Sequence, residues 1–457
     1  MTPEAWLDAN EDAALKTLKA FCAIPSVSTD PAYATDMANA AAFLASHLTA
    51  IGLDHAIVRP TDGHSIVTAD WLHAPGAPTI LVYAHYDVQP PDPLALWESP
   101  PFTATIRNDR LYGRGVSDDK GPMMVALTAI AARIATNTLS VNLKLLIEGE
   151  EECGSRNLNL FVADHAALLA ADWVLSADGA RWRADLPTTT VASRGLCALE
   201  VTVKGADRDL HSGRYGGMVA NPVAVLARLL AGLHDDAGGI AVPGFMDGIT
   251  AAISLDDVPF DEAAQAATLG ASALTGEAGY SALQRNWLRP TLEFNGIWGG
   301  YAGPGSKTVI PAVAGAKITC RLVPGQEPER VAKLIATDLR RRIPHGVMPG
   351  VTVDVTIEDH EAMPYAIPDD HAGLALAEAV VAEIEGRTPL RVRMGATLPM
   401  CDILRRRLGI DTVMFSFSTA DEDYHAPNEF FRLSSWRTGL RAWVTLLGRA
   451  GPGRTAS

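Results

Sequence analysis

Three short runs, TILVYAHYDV at residues 79–88, VNLKLLIEG at 141–149 and DWVLSADG at 172–179, are nearly unbroken in apolar residues and end among imidazole and carboxylate groups. Successive side chains of a strand point to opposite sides of its sheet, so a strand apolar at consecutive positions must be covered on both faces. Helical spacing of apolar residues over 6–24 and 37–52 supplies amphipathic cover. The pattern predicts an α/β domain with helices on both faces of its sheet. In such open sheets the functional crevice lies beyond the carboxyl ends of the strands.

From about residue 190 the rhythm changes. Strand patterns at 196–204, 291–296, 314–323 and 351–357 and helical patterns at 219–233 and 328–342 give β-α-β-β-α-β order, with a Gly-rich irregular stretch after the first helix. That order is ferredoxin-like. Two domains are therefore expected: a discontinuous α/β domain over 1–189 and 364–449, and a ferredoxin-like domain inserted at 190–363. Residues 450–457 (AGPGRTAS) read as a flexible tail. Asn221 before Pro222 reads as a helix N-cap.

A formal net charge of -15 without a Lys/Arg-rich run argues against nucleic acid or an anionic membrane as partner. The five cysteines are scattered and form no C-x-x-C pair, as expected for reduced thiols. The acidic N-terminal stretch lacks the pattern of a signal peptide, and no apolar run reaches membrane-spanning length. These features predict a cytoplasmic protein whose metal sites, where present, use His and carboxylates.

The middle run continues into Glu148, Glu150, Glu151 and Glu152 before a glycine turn. Two carboxylates about 4 Å apart repel by about 4 kcal/mol at an effective dielectric of about 20, so crowding them at the end of a buried strand calls for a cation or a proton. Ligand-type residues stand at other strand ends: His85 with Asp87, Asp178, and His425 after the last strand, while Asp118 and Asp119 sit in a glycine-bounded turn. His85 and Asp87 share one side of their strand, which places Asp87 to orient the imidazole. Each feature alone has an ordinary reading, as a solvated loop, a structural histidine or a helix cap. Together His85, Asp118, Glu152, Asp178 and His425 make an oxygen and nitrogen set suited to two divalent ions, Zn²⁺ first, Mn²⁺ or Co²⁺ next. Three carboxylates leave one divalent ion short of neutrality, whereas two ions and a bridging hydroxide balance them.

LVYAHYDVQP, LWESPPF, LYGRGVSDDKGP, EGEEECGS, LSADG, DLHSGRYGG, SKTVIPA, RLVPGQ and HAPNE occur in that order between residues 81 and 429. They resemble the successive motifs of the co-catalytic zinc peptidases that include carnosine-type cytosolic dipeptidases, aminoacylase, carboxypeptidase G and succinyl-diaminopimelate desuccinylase. The resemblance implies that His85 and Asp178 hold one metal, Glu152 and His425 the other, and that Asp118 bridges them. It further implies Glu151 as general base, and a cis peptide between Asp118 and Asp119. His211 is implied to reach a neighbouring subunit's active site, where it holds the scissile carbonyl oxygen. Arg321 is implied to receive a substrate carboxylate, with Gly395 and Thr397 in a small-residue loop beside the substrate; Ala396 stands where the family usually has another glycine. The inserted domain thereby acquires the role of a lid and dimerisation domain, and the protein that of a homodimer.

The reading that follows is a dipeptidase-type metallopeptidase acting on short peptides with a free carboxylate. An N-acyl-amino-acid deacylase uses the same chemistry. A catalytically silent peptide-binding dimer would not need the full ligand set and Glu151, and a dinuclear phosphoesterase would not need a base glutamate next to a ligand glutamate.

Overall fold

The computed structural model describes residues 1–249, 253–342, 350–359 and 361–451. The chain is α/β and divides into two compact units: Met1–Val191 with Ile367–Arg393 and Pro399–Ser457, and Ala192–Ala366 with Met394–Leu398. Most of the tail expected at 450–457, residues 452–457, lies outside the described residues.

The first unit is built on a six-stranded sheet in the order Asp54–Arg59, Ile66–Trp71, Asn142–Glu148, Thr79–His85, Trp173–Ser176, Thr412–Met414. The last four are parallel. The first two are antiparallel additions at one edge. The apolar runs occupy the middle: Ile80 to His85 and Leu145 to Glu148 are all buried. By contrast the edge strand Asp54–Arg59, richer in polar residues, is buried at no position. Helix Lys120–Ala135 is buried from Lys120 to Ala132 and packs against helices Pro3–Cys22 and Leu433–Arg449. Its first turn follows the Asp118–Asp119 turn directly, so the centre of this unit anchors that turn.

The second unit is a four-stranded antiparallel sheet in the order Thr291–Gly299, Val313–Leu322, Gly195–Lys204, Thr352–Ile357. Helices Pro222–Ala231 and Pro328–Arg341 bury Leu226, Leu229, Val331 and Ile335 in one core with the sheet residues Val201, Val203, Ala316 and Ile318. Asn221 caps the first of these helices by accepting from the Val223 N–H, with Pro222 at the first helical position. The stretch read as irregular contains two short helices, Glu262–Thr268 and Ala282–Trp287. They have seven and six residues, too few for a 3.6-residue period to emerge, but Asp261 and Ser281 were visible N-cap signals. No helix among the described residues is long and apolar enough to cross a membrane.

Candidate metal centre

Parallel pairing places His85 opposite Glu148 at the last rung of the central ladder, and Asp178 lies just beyond the neighbouring strand Trp173–Ser176. Ligand atoms of His85, Asp118 and Asp178 lie within 4.8 Å of one another, as do those of Asp118, Glu152 and His425. Asp118 belongs to both groups. One of its oxygens is 3.0 Å from His85 Nε2 and the other is 3.0 Å from His425 Nε2. The Glu152 Oε2 lies 3.1 Å from the same His425 nitrogen.

The two groups share one carboxylate, which makes them candidates for two neighbouring ion sites. The donor set fits divalent ions on chemical grounds: two imidazoles and three carboxylates converge, and the buried Asp178 Oδ2 has no hydrogen-bond partner. Burial pushes the Asp178 carboxyl up to about 6. An acid so placed needs a cation to stay ionised at low cost.

The supporting groups explain how the ligands are held. His85 Nδ1 is 3.2 Å from the Asp87 carbonyl oxygen and 3.3 Å from Asp87 Oδ1. Placing the proton on Nδ1 leaves the Nε2 lone pair free to ligate. The Asp87 carboxylate also accepts from the backbone N–H groups of Glu151 at 3.3 Å and Glu152 at 3.0 Å, and from Ser28 Oγ at 2.7 Å. A single buried carboxylate therefore joins the histidine strand to the glutamate turn. Gln89 donates to Glu152 Oε2 at 2.9 Å; its spacing two residues beyond Asp87 was the available sequence signal. The Asp118–Asp119 peptide is cis.

The four glutamates differ in their surroundings. Glu152 joins the ligand group. Burial, opposed by the His85 imidazole and reinforced by the carboxylates of Asp178, Glu152 and Asp118, pushes the Glu151 carboxyl well above the usual carboxylate range. Glu148 is buried, accepts from Tyr83 Oη at 2.6 Å and Ser155 Oγ at 3.0 Å, and is pushed by burial up to about 8. Glu150, buried as well, accepts from the N–H groups of His64 and Asn157. Neither Glu148 nor Glu150 is solvated; both support the turn.

The remaining candidates lie in the second unit. Arg321 Nη1 donates to Thr397 Oγ1 at 2.6 Å. The Gly395 carbonyl accepts from Arg194 Nε at 2.7 Å, and a Cβ at Gly395 would stand 2.4 Å from Asn286 Oδ1. Arg321, Gly395 and Thr397 are thus brought together, joined by Arg194, a buried arginine that the motif reading passed over. His211 is exposed, its Nδ1 accepting from the Gly213 N–H at 3.0 Å.

Residues 81–449 match Peptidase family M20/M25/M40. The chain is 29% identical over 458 residues to the Cys-Gly metallodipeptidase of Schizosaccharomyces pombe, covering 96% of each chain. It is 29% identical to the human Beta-Ala-His dipeptidase, covering 94% of this chain and 88% of that one. Among solved structures it is similar to human carnosine dipeptidase 1, with a TM-score of 0.81 and 26% identity over 97% of both chains. It is also similar to an M20 family metallo-carboxypeptidase of Sulfolobus solfataricus, with a TM-score of 0.83 and 29% identity over 95% of this chain and 98% of that one. A match of this extent, over a chain whose ligand-type residues converge on a shared aspartate, makes the protein a metallopeptidase belonging to Peptidase family M20/M25/M40.

Proposed function

We propose that the protein hydrolyses the amide bond of dipeptides or short peptides that carry a free C-terminal carboxylate. The observation that carries this reading is the pair of ligand groups sharing Asp118, with Glu151 beside them. His85 and Asp178 would hold one ion, Glu152 and His425 the other, with Asp118 between; Zn²⁺ is the first candidate and Mn²⁺ or Co²⁺ the next. Two such ions supply Lewis acidity and a water acidic enough to attack at neutral pH.

The chain's own residues do the rest. Glu151, raised above the usual range and adjacent to a ligand, takes the proton of the attacking water on its carboxylate and returns it to the leaving nitrogen. Asp87 keeps the His85 tautomer and the glutamate turn in register. Arg321 receives the substrate carboxylate, with Thr397 and the Gly395 backbone beside it. Neither Arg321 nor Arg194 has a carboxylate within ion-pair distance among the described residues, which supports an anion as the missing partner. His211 stabilises the oxyanion of a partner subunit's site, in a homodimer formed through the inserted unit. The edge strand of that unit leaves Ile297 62% and Trp298 41% exposed, a surface suited to burial against a second copy.

The dipeptidase names of the relatives favour dipeptides over N-acyl amino acids. The test is a panel of dipeptides and N-acyl amino acids, assayed for amine release with Zn²⁺-, Mn²⁺- and Co²⁺-loaded protein. Turnover of dipeptides, lost with a C-terminal amide, is expected. Turnover confined to N-acyl amino acids would replace the reading with deacylation.

A further inference from the structure

Two buried carboxylates near the metal centre have no place in the chemistry above. Glu422 and Glu429 are both 0% exposed. They flank His425 on one loop, and both reach the turn that carries Asp118. Glu429 Oε2 accepts from Arg114 Nη1 at 2.6 Å and the Gly115 N–H at 2.9 Å, while Oε1 accepts from the N–H groups of Ser117 at 2.9 Å and Asp118 at 3.2 Å. Glu422 Oε2 accepts from Ser117 Oγ at 2.6 Å and the Thr419 N–H at 3.1 Å; its Oε1 accepts from the Arg432 N–H and Nη1, each at 3.1 Å.

Buried N–H groups of a tight turn must be paired, and here a side chain from a segment about 310 residues away pairs them. His425 itself has a left-handed φ of +62°. A non-glycine residue there costs roughly 1–3 kcal/mol and persists only where its surroundings over-determine it. Glu422 ties that loop to Thr419 and Arg432, and the two glutamates also hold the Asp118 turn, Glu429 through both oxygens and Glu422 through Ser117 Oγ. Displacing either segment displaces the other.

We infer that Glu429, assisted by Glu422, is a positioning residue that couples the bridging Asp118 to the ligand His425, so that the two metal sites fill cooperatively. This rests on the dinuclear reading of the centre. Filling the site that includes His425 fixes the loop, the loop fixes the Asp118 turn through Glu429, and the second site is met with its shared ligand already in place. Glu429→Gln is the informative change. It keeps the side-chain shape but replaces one acceptor oxygen with an NH₂ that must face an N–H donor of the turn or the Arg114 guanidinium.

The test is stepwise Co²⁺ titration of metal-free protein by calorimetry, with the visible Co²⁺ spectrum as a second readout and the thermal midpoint of the metal-free chain measured separately. The parent should bind two ions with positive cooperativity. In Glu429→Gln both affinities should fall by about 10- to 100-fold, the scale of lost ligand-supporting contacts, with the cooperativity abolished and the Co²⁺ spectrum altered. Ser117→Ala, which removes only the Ser117 Oγ to Glu422 bond, should show the same change on a smaller scale and carries the test where Glu429→Gln does not fold. A lower thermal midpoint at unchanged metal affinity would make these glutamates purely structural and overturn the inference. If the parent binds two ions and the variants match it, only the coupling fails. If the parent itself binds fewer than two ions, the dinuclear reading fails and the coupling with it.

Discussion

At the scale of single residues, the adjacent glutamates differ in their neighbours, and the proposed reaction gives them different tasks. Glu152 lies within ligand distance of Asp118 and His425, whereas Glu151 belongs to neither ligand group among the described residues. Glu151→Gln should therefore lower kcat by at least about 100- to 10,000-fold while leaving metal content and fold intact. Glu152→Gln should instead lower metal occupancy, read by metal analysis. Near-native rates in both variants would refute the division of labour. Asp87→Ala removes the acceptor that serves Glu151, Glu152 and Ser28 together, so metal affinity should drop by about 10- to 100-fold, measured by competition with a chelator. Gly395→Ala should raise KM more than it lowers kcat. The new methyl meets Asn286 Oδ1 at 2.4 Å and must move the loop that lies beside Arg321.

At the scale of elements, the parallel strands deliver the site. His85, Glu148 and Asp178 fall together because their strands are paired in register, Tyr83 with Leu146 on one side and Ser176 on the other. A slip by one residue would turn each of these side chains to the opposite face. The ladder is held by packing: Leu146 is 0% exposed in the middle of the sheet. Leu146→Ala should cost about 2–5 kcal/mol, the range for a cavity left by a buried leucine, measured as a shift of the denaturant midpoint at unchanged slope. Metal stoichiometry of the folded fraction should stay the same, since the strand end is anchored independently through Asp87 and the Glu148 contacts to Tyr83 and Ser155.

At the scale of the whole molecule, the proposed homodimer makes a prediction that no single chain can satisfy. A His211→Ala chain and a Glu151→Gln chain should each be inactive, because one lacks the oxyanion donor for its partner and the other lacks its own base. Loss of an oxyanion donor typically costs about 100- to 1,000-fold in rate. Mixed under exchange conditions, the two should form heterodimers with one intact site and one carrying both defects, restoring about half the parent rate per dimer on the trans arrangement. No recovery on mixing, or full activity of His211→Ala alone, would remove His211 from the reaction and leave the metal centre untouched.

What the sequence by itself determined follows from local physics. Continuous apolar runs dictate buried strands, proline after asparagine dictates a helix start, and alternation dictates the α/β class, since each depends on neighbours a few positions away. The candidate ligand types were legible for the same reason: acids crowded at the ends of apolar runs are costly without a cation or a proton, and imidazoles beside them complete a donor set. Tertiary structure alone decided which of those groups meet. Glu148 and Glu150 carry the same side chain as Glu151 and Glu152, yet they turn to Tyr83, Ser155, His64 and Asn157. Arg194 meets Gly395 about 200 residues along the chain, and Glu429 meets the Asp118 turn across about 310. Such pairings depend on long-range folding of the backbone, which no local spacing encodes, so buried carboxylates and arginines reveal their partners only once the chain has closed around them.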